Sequence, residues 1–391
     1  MDKHGFRDGD VRGGMIRRIL EVAVGALLLA SCNGAEPPRY SGRAPVVPPA
    51  YVVAIPVPAV QPRAANRVPS PLQARVDQLI RDFPGKAGIA IRAIDDGWTA
   101  EAGARQRMPQ QSVSKLWVAI TVLDQRDKGR LRLDDPITLT AGDLTLFHQP
   151  IAGLVAKSGS YTTTVASLLF RALTQSDNTA NDRLLTLVGG PSAVRAMIRE
   201  KQLGDIRFGP GERLLQAGTA GLTWSQAMAA GGAFEAARAR LDPTVRAAAL
   251  QAYIMDPPDG AAPLAIADAL ARLARGELLS ETSTRLLLTT MGETKTGRAR
   301  LKSALAPGWE LAHKTGTGQE LGRRNAGFND VGILTAPDGK RYAIAVMVGD
   351  TMRPMSDRQA LIRNAALALT GRSAMPTQTM AASEDESEAG T

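Results

Sequence analysis

The chain has 391 residues, a formal net charge of +9, 4% aromatic residues, three histidines and one cysteine. That length holds at most a domain or two, and the positive charge is scattered as single arginines with no basic run interleaved with stacking residues, which argues against a nucleic-acid partner. His4, His148 and His313 with a lone cysteine supply a zinc hydrolase poorly, so neither a metal nor another cofactor is expected, and the body has no internal disulfide.

Taken in order, residues 1–18 are polar and include Arg12, Arg17 and Arg18, residues 19–29 are mostly apolar, and Leu29-Ala30-Ser31-Cys32 closes the segment. This is the layout of a signal peptide over 1–31, too short for a comfortable membrane span. Glu21 interrupts the apolar run, and Met15 is an alternative start. The small residues before Cys32 resemble a bacterial lipobox, which implies cleavage there and acylation of the thiol. Asn33 lacks the aspartate associated with inner-membrane retention, which tilts the expectation to a periplasmic, lipid-anchored protein of the outer membrane. Prolines recur from Pro37 to Pro69, so 32–69 reads as an extended tether; 373–391, with Glu384-Asp385-Glu386, reads as an acidic disordered tail.

The folded body begins at Ser70-Pro71, read as an N-cap and a first-turn proline, with Leu72, Val76, Leu79 and Ile80 on one helix face. Alternation over 86–94, a turn at Asp95-Asp96-Gly97 and continuation through Trp98 predict a hairpin. An apolar helix starting near Ser112 ends near Lys128-Gly129. Further helices are expected over 164–173, 180–187, 192–201, 263–275, 280–291 and 358–369, and strands over 309–314, 330–336 and 342–348. Strands at both ends with helices between imply one sheet built from distant parts of the chain. A helical lobe lies beside it, and the ligand cleft is expected between the two.

Chemistry is concentrated in three motifs. Ser112 and Lys115 stand three residues apart at the start of the apolar helix, on one face, where an amine can take the proton of a hydroxyl that is otherwise a weak nucleophile. Ser176-Asp177-Asn178 occupies a polar break between helices, and Lys314-Thr315-Gly316-Thr317-Gly318 ends a strand. A second Lys-Thr-Gly, Lys295-Thr296-Gly297, follows a helix with no strand before it, so Lys314 is preferred.

In that order the motifs form the signature of the penicillin-interacting serine enzymes, and 70–372 resembles a class A serine β-lactamase. Gly276-Glu277-Leu278-Leu279, Pro307-Gly308-Trp309 and Asn329-Asp330-Val331-Gly332 extend the resemblance. It implies an α/β lobe (about 70–110 and 292–372) with a five-stranded antiparallel sheet flanked by helices, and an inserted all-α lobe (about 111–291). It also implies a monomer acting on a small β-lactam. Ser112 would attack the lactam carbonyl, with Lys115 holding or relaying its proton and the N–H groups of Ser112 and Thr317 forming an oxyanion hole. Ser176, assisted by Lys314, would protonate the leaving nitrogen. Asn178 would bond the side-chain amide, and Lys314, Thr315, Gly316 and Thr317, with Arg300 fourteen residues before Lys314, would attract the carboxylate. Phe147, beside His148, matches a rim aromatic; His313 would point away from Lys314 by strand alternation and takes no role.

Deacylation needs a loop carboxylate, and Glu212, 36 positions after Ser176 in Glu212-Arg213-Leu214-Leu215-Gln216, resembles the family's base. Three departures stand out. Gln216 replaces an asparagine that would share the water, Pro210 stands where the loop's anchoring arginine is usual, and the stretch between Gln216 and Pro263 is some tens of residues longer than the family's. Residues 233–253 of that stretch are expected to add helix near the mouth of the site. A penicillin-binding-protein-like peptidase, or another serine hydrolase of the same fold, is therefore the alternative reading, and a non-catalytic envelope protein the third.

Overall fold

The structure, a computed structural model, describes residues 67–371. The expected signal peptide, Cys32, the tether up to residue 66 and the acidic tail lie outside the described residues.

Helix α1 (Ser70–Arg81) is followed by the hairpin of β1 (Lys86–Ala93) and β2 (Thr99–Ala102). Pro69, not Ser70, occupies the N-cap, and Pro71 falls in the first turn, where its missing N–H costs nothing. The short strand β3 (Met108–Pro109) leads through a 3₁₀ turn, Gln111–Ser114, into α2 (Lys115–Asp127). Ten consecutive residues of α2, from Lys115 to Asp124, are buried, so this helix is core on every side.

Next come β4 (Pro136–Thr140), α3 (Ile151–Ser158), β5 (Ser160–Thr164), α4 (Val165–Phe170), α5 (Asn178–Leu187), α6 (Gly190–Glu200), α7 (Glu212–Thr219), α8 (Ala233–Ala239) and α9 (Pro243–Met255). The helix expected over 164–173 ends early and passes into a π turn, Arg171–Gln175. That wider turn delivers Ser176 in a left-handed conformation (φ 60°). The antiparallel pairing of β4 with β5 and the helices α3 and α7 are additions to the expected elements; each is eight residues or fewer, too short for periodicity to declare. α8 and α9 are the helices anticipated in the long stretch.

The chain then forms β6 (Gly260–Ala261), which pairs with β3, and α10 (Pro263–Ala274) and α11 (Glu281–Gly292). It closes with β7 (Glu310–Thr317), the small hairpin β8 (Glu320–Leu321) and β9 (Arg324–Asn325), β10 (Phe328–Thr335), β11 (Arg341–Asp350) and α12 (Met355–Thr370). The five-stranded sheet has the order β2-β1-β11-β10-β7 and is antiparallel throughout. This is the expected architecture of an α/β sheet with an inserted helical lobe.

Both faces of the sheet are covered. Ile89 and Ile91 of β1 join the core shared with α1 and α12, whereas Ala90 turns to the larger core that contains α2 and α10. The alternation in β1 is therefore large against small, not apolar against polar. Gly88 shows the constraint: a Cβ there would lie 2.5 Å from the carbonyl oxygen of Gly103 and 3.0 Å from Pro263. The helices α10 and α11, from the stretch assigned to the helical lobe, pack on this sheet. Asn329 of β10 ties the sheet to the nucleophile loop, its Nδ2 donating to the carbonyls of Pro109 (2.9 Å) and Gln110 (3.0 Å).

Candidate active site

Ser112 lies in the 3₁₀ turn and Lys115 is the first residue of α2, so the two are not on one α-helical face as expected. The tighter turn serves better, because side chains three apart eclipse in a 3₁₀ helix. Lys115 Nζ donates to Ser112 Oγ at 2.7 Å. The residue before the serine, Gln111, has φ 53°, an uncommon conformation for a side chain of its kind. It is held there from several directions. Its N–H donates to Asp259 Oδ2 (2.8 Å), and its Nε2 donates to the Tyr253 hydroxyl (2.7 Å) and to Ala326 O (3.0 Å).

Lys115 is wholly buried and gathers three acceptors from three elements. Besides Ser112, its amine donates to Asn178 Oδ1 of α5 (2.8 Å) and to Glu212 Oε1 of α7 in a short ion-paired hydrogen bond. Asn178 is in turn fixed by donating Nδ2 to Leu146 O (2.8 Å). Glu212 is buried at the N-terminus of α7, and Gln216 one turn on donates Nε2 to Gln111 Oε1 (3.1 Å) and more distantly to Glu212 Oε2 (3.4 Å). A second buried amine, Lys314 of β7, donates to Ser176 Oγ (2.9 Å). Thus Ser112, Ser176, Asn178 and Glu212 line one cavity, and Lys115 and Lys314 stand buried behind it, each joined to a lining serine by a hydrogen bond.

That cavity has a volume of about 320 Å³ and includes Phe147, His148, Thr315 and Thr317 in its lining. Phe147 is at the rim, with its ring edge-on to Phe234 of α8 at 5.2 Å. Arg300 also lines it, with an arrangement the sequence did not suggest. Its guanidinium lies 3.7 Å from the Phe328 ring centroid and donates to Gly316 O (3.0 Å), Asn329 O (2.7 Å) and Thr317 Oγ1 (2.6 Å). Because Thr317 accepts from Arg300, its hydroxyl hydrogen is left for the cleft. At Gly316 a Cβ would meet the Gln110 carbonyl oxygen at 2.4 Å, so glycine there lets that loop approach β7. His313 turns to the buried Asp330 (Nδ1 to Oδ1, 2.8 Å), away from Lys314 as alternation required.

The electrostatics follow from burial. Burial, then the positive charge of Lys115, holds the Lys314 amine well below the ordinary lysine range. Burial likewise lowers Arg300 to about 10. An anion entering the cleft relieves that cost for both. On the loop side, burial pushes the Asp182 carboxyl up, with the charge of Glu212 adding to it, and pushes Asp259 up to about 6.

Residues 71–372 match the model of the β-lactamase enzyme family. The chain belongs to that family. Among curated relatives, the extended-spectrum β-lactamase PER-1 of Pseudomonas aeruginosa is 27% identical over 297 residues, covering 75% of this chain and 85% of its own. The β-lactamase CTX-M-6 of Salmonella typhimurium is 30% identical over 247 residues, covering 63% and 72% respectively. A crystal structure of a β-lactamase from Chitinophaga pinensis superposes with a TM-score of 0.62 at 29% identity, covering 76% of this chain and 97% of that one. The TLA-3 extended-spectrum β-lactamase gives 0.63 at 25%, covering 76% and 96%. The chain is class A-like within the family, as its motifs implied.

Several residues of this β-lactamase-family site were missed from sequence. Asp182 receives the backbone N–H of Glu212 (2.9 Å) and of Arg213 (3.3 Å), so it fastens the loop that lacks the usual arginine at Pro210. Its spacing, four residues after Asn178 on one helix, was a legible signal. Thr296, from the rejected Lys-Thr-Gly, lines the cavity and shares a 2.7 Å hydrogen bond with Thr315 Oγ1. Tyr253, Asp259, Gln319 and Arg238 had no motif to announce them.

The Asp259 carboxyl gives a pH test. Its pKa is raised by burial from 3.8 to about 6, so the folded state holds a proton that the unfolded chain releases between those values. The stabilisation is full below the unfolded value and lost as pH rises through about 6. Relative to Asp259→Asn, the unfolding free energy of the wild type should fall by roughly 3 kcal/mol between acid and neutral pH, read from urea titrations; a pH-independent difference would contradict the burial.

Proposed function

We propose that this chain is a serine β-lactamase that opens the β-lactam amide through an acyl-serine intermediate and releases it with water. The observation that carries the reading is the buried contact of Lys115 with both Ser112 and Glu212. Transfer of a proton from Lys115 to Glu212 leaves a free amine 2.7 Å from the serine oxygen. That amine takes the Ser112 proton as Oγ bonds to the lactam carbon. The oxyanion is held by the N–H groups of Ser112 and Thr317, each worth on the order of 3 kcal/mol of barrier. The C–N bond then breaks, and the leaving nitrogen receives, through Ser176 oriented by Lys314, the proton that Lys115 took from Ser112; Glu212 then returns its own proton to the neutral Lys115 and is a carboxylate again.

Deacylation uses the carboxylate of Glu212 to take a proton from water as the water oxygen attacks the ester carbon; that proton returns to Ser112 as the ester bond breaks. Gln216 positions the water in place of an asparagine. The substrate's ring carboxylate docks against Thr315, Thr317 and the cations Lys314 and Arg300, and its side-chain amide against Asn178. Phe147 stacks at the rim. The alternative, a penicillin-binding-protein-like peptidase, shares Ser112 and Lys115 but leaves the Lys115–Glu212 contact without a purpose.

The amino-terminal pattern supports export and acylation of Cys32, which would display the catalytic domain (70–372), read as a monomer, on the periplasmic face of the envelope, with the outer membrane favoured. Two outcomes are expected. With a chromogenic cephalosporin, Ser112→Ala abolishes turnover and Glu212→Ala reduces it by about 10²–10⁴-fold, leaving one stoichiometric burst; sustained turnover in the latter would remove Glu212 from the mechanism. In cell fractionation, Cys32→Ser moves the protein from the membrane pellet to the soluble fraction, and no change in partition would sink the anchor.

A further inference from the structure

The long stretch between Gln216 and Pro263 does more than lengthen the loop. Its helix α8 sends Arg238 into the lining of the cleft that holds Ser112. The side chain is half-buried and its placement is built. Nη1 donates to Gln319 Oε1 at 3.1 Å, while Gln319 Nε2 donates to Gln216 O (2.8 Å) and Oε1 (3.0 Å). The guanidinium lies 5.5 Å from the ring centroid of Phe234, which is itself fully buried beneath Phe147. Among the described residues the hydrogen-bonding partner of Arg238 is a neutral amide, and no carboxylate neutralises it. A guanidinium held at a ligand cleft with its charge uncompensated is a recognition element for an anion.

We propose that Arg238 determines specificity by pairing with an anionic group, a carboxylate or sulfonate, on the acyl side chain of the substrate. The assignment rests on the reading given above. If the ring carboxylate lies with Lys314 and Thr317, the acyl side chain extends past Asn178 toward α7 and Gln319, which is where Arg238 stands. Lys314 and Arg300 serve the first anionic group, and Arg238 the second. The segment thereby adds a cation of its own to the cleft, and the enzyme favours dianionic β-lactams over monoanionic ones.

Carbenicillin and benzylpenicillin differ by one carboxylate on the acyl side chain, so the ratio of their kcat/KM values isolates the interaction, and any general effect of a substitution cancels. In the full-length protein, Arg238→Ala should lower the carbenicillin-to-benzylpenicillin ratio about fivefold, Arg238→Glu should lower it further, and Arg238→Lys should keep most of it. Added salt should erode the wild-type ratio and leave that of the alanine variant unchanged. An unchanged ratio in Arg238→Glu, or a loss that Arg238→Lys does not recover, overturns the assignment. If the wild type is acylated without turnover, the hydrolytic reading fails, yet the same ratio is read from second-order acylation rates and still decides the role of Arg238. If neither penicillin reacts, both fall.

Discussion

A buried amine with no route to water has to be satisfied by its neighbours, and Lys115 imposes that demand at the centre of this molecule. Its three acceptors come from the 3₁₀ turn, from α5 and from α7. Leaving a buried charge unpaired costs several kcal/mol, so these elements cannot shift independently. The apolar α2 carries the amine into the core. The π turn ahead of α5 presents Ser176, and β7 brings Lys314 to meet it from the sheet. The cleft is thus the place where two lobes are forced to agree about proton positions.

The loop that holds Glu212 is fastened by unusual means. Without an arginine at position 210, Asp182 grips the start of α7 by its backbone, and Asp259 at the far end of the long stretch grips the residue before the nucleophile. Tyr253 of α9 bridges Asp259 and Gln111, donating to the carboxylate at 3.0 Å. Asp182 also ion-pairs with Arg213 Nε (3.4 Å), and burial raises the pKa values of both carboxylates against the lowering effect of the hydrogen bonds they accept. The inserted helices are therefore part of the support of the site: α9 through Tyr253, α8 through Phe234 under the rim.

How much of this was legible beforehand depends on range. The three motifs are short and ordered, and they named Ser112, Lys115, Ser176 and Lys314, all of which the fold gathers. The sheet was readable because β10 and β11 are long apolar runs around a marked turn at Pro337-Asp338-Gly339. What stayed hidden has two physical sources. Elements such as α3, α7 and β4 are too short for a period to show. Contacts such as Gln111 with Tyr253, 142 positions apart, arise from tertiary placement that no local pattern encodes. Gly316 is of the same kind, a motif position whose missing side chain also makes room for the backbone of Gln110, about two hundred positions earlier.

The central claim is that Ser112 carries the substrate covalently and then gives it up. Intact mass spectrometry of the wild type, quenched at intervals after mixing with excess benzylpenicillin, tests it most directly. The account predicts a single penicilloyl adduct, mapped to the peptide containing Ser112, that disappears once the antibiotic is consumed. An adduct mapped to another residue, or no adduct at any interval while the drug is destroyed, would contradict it.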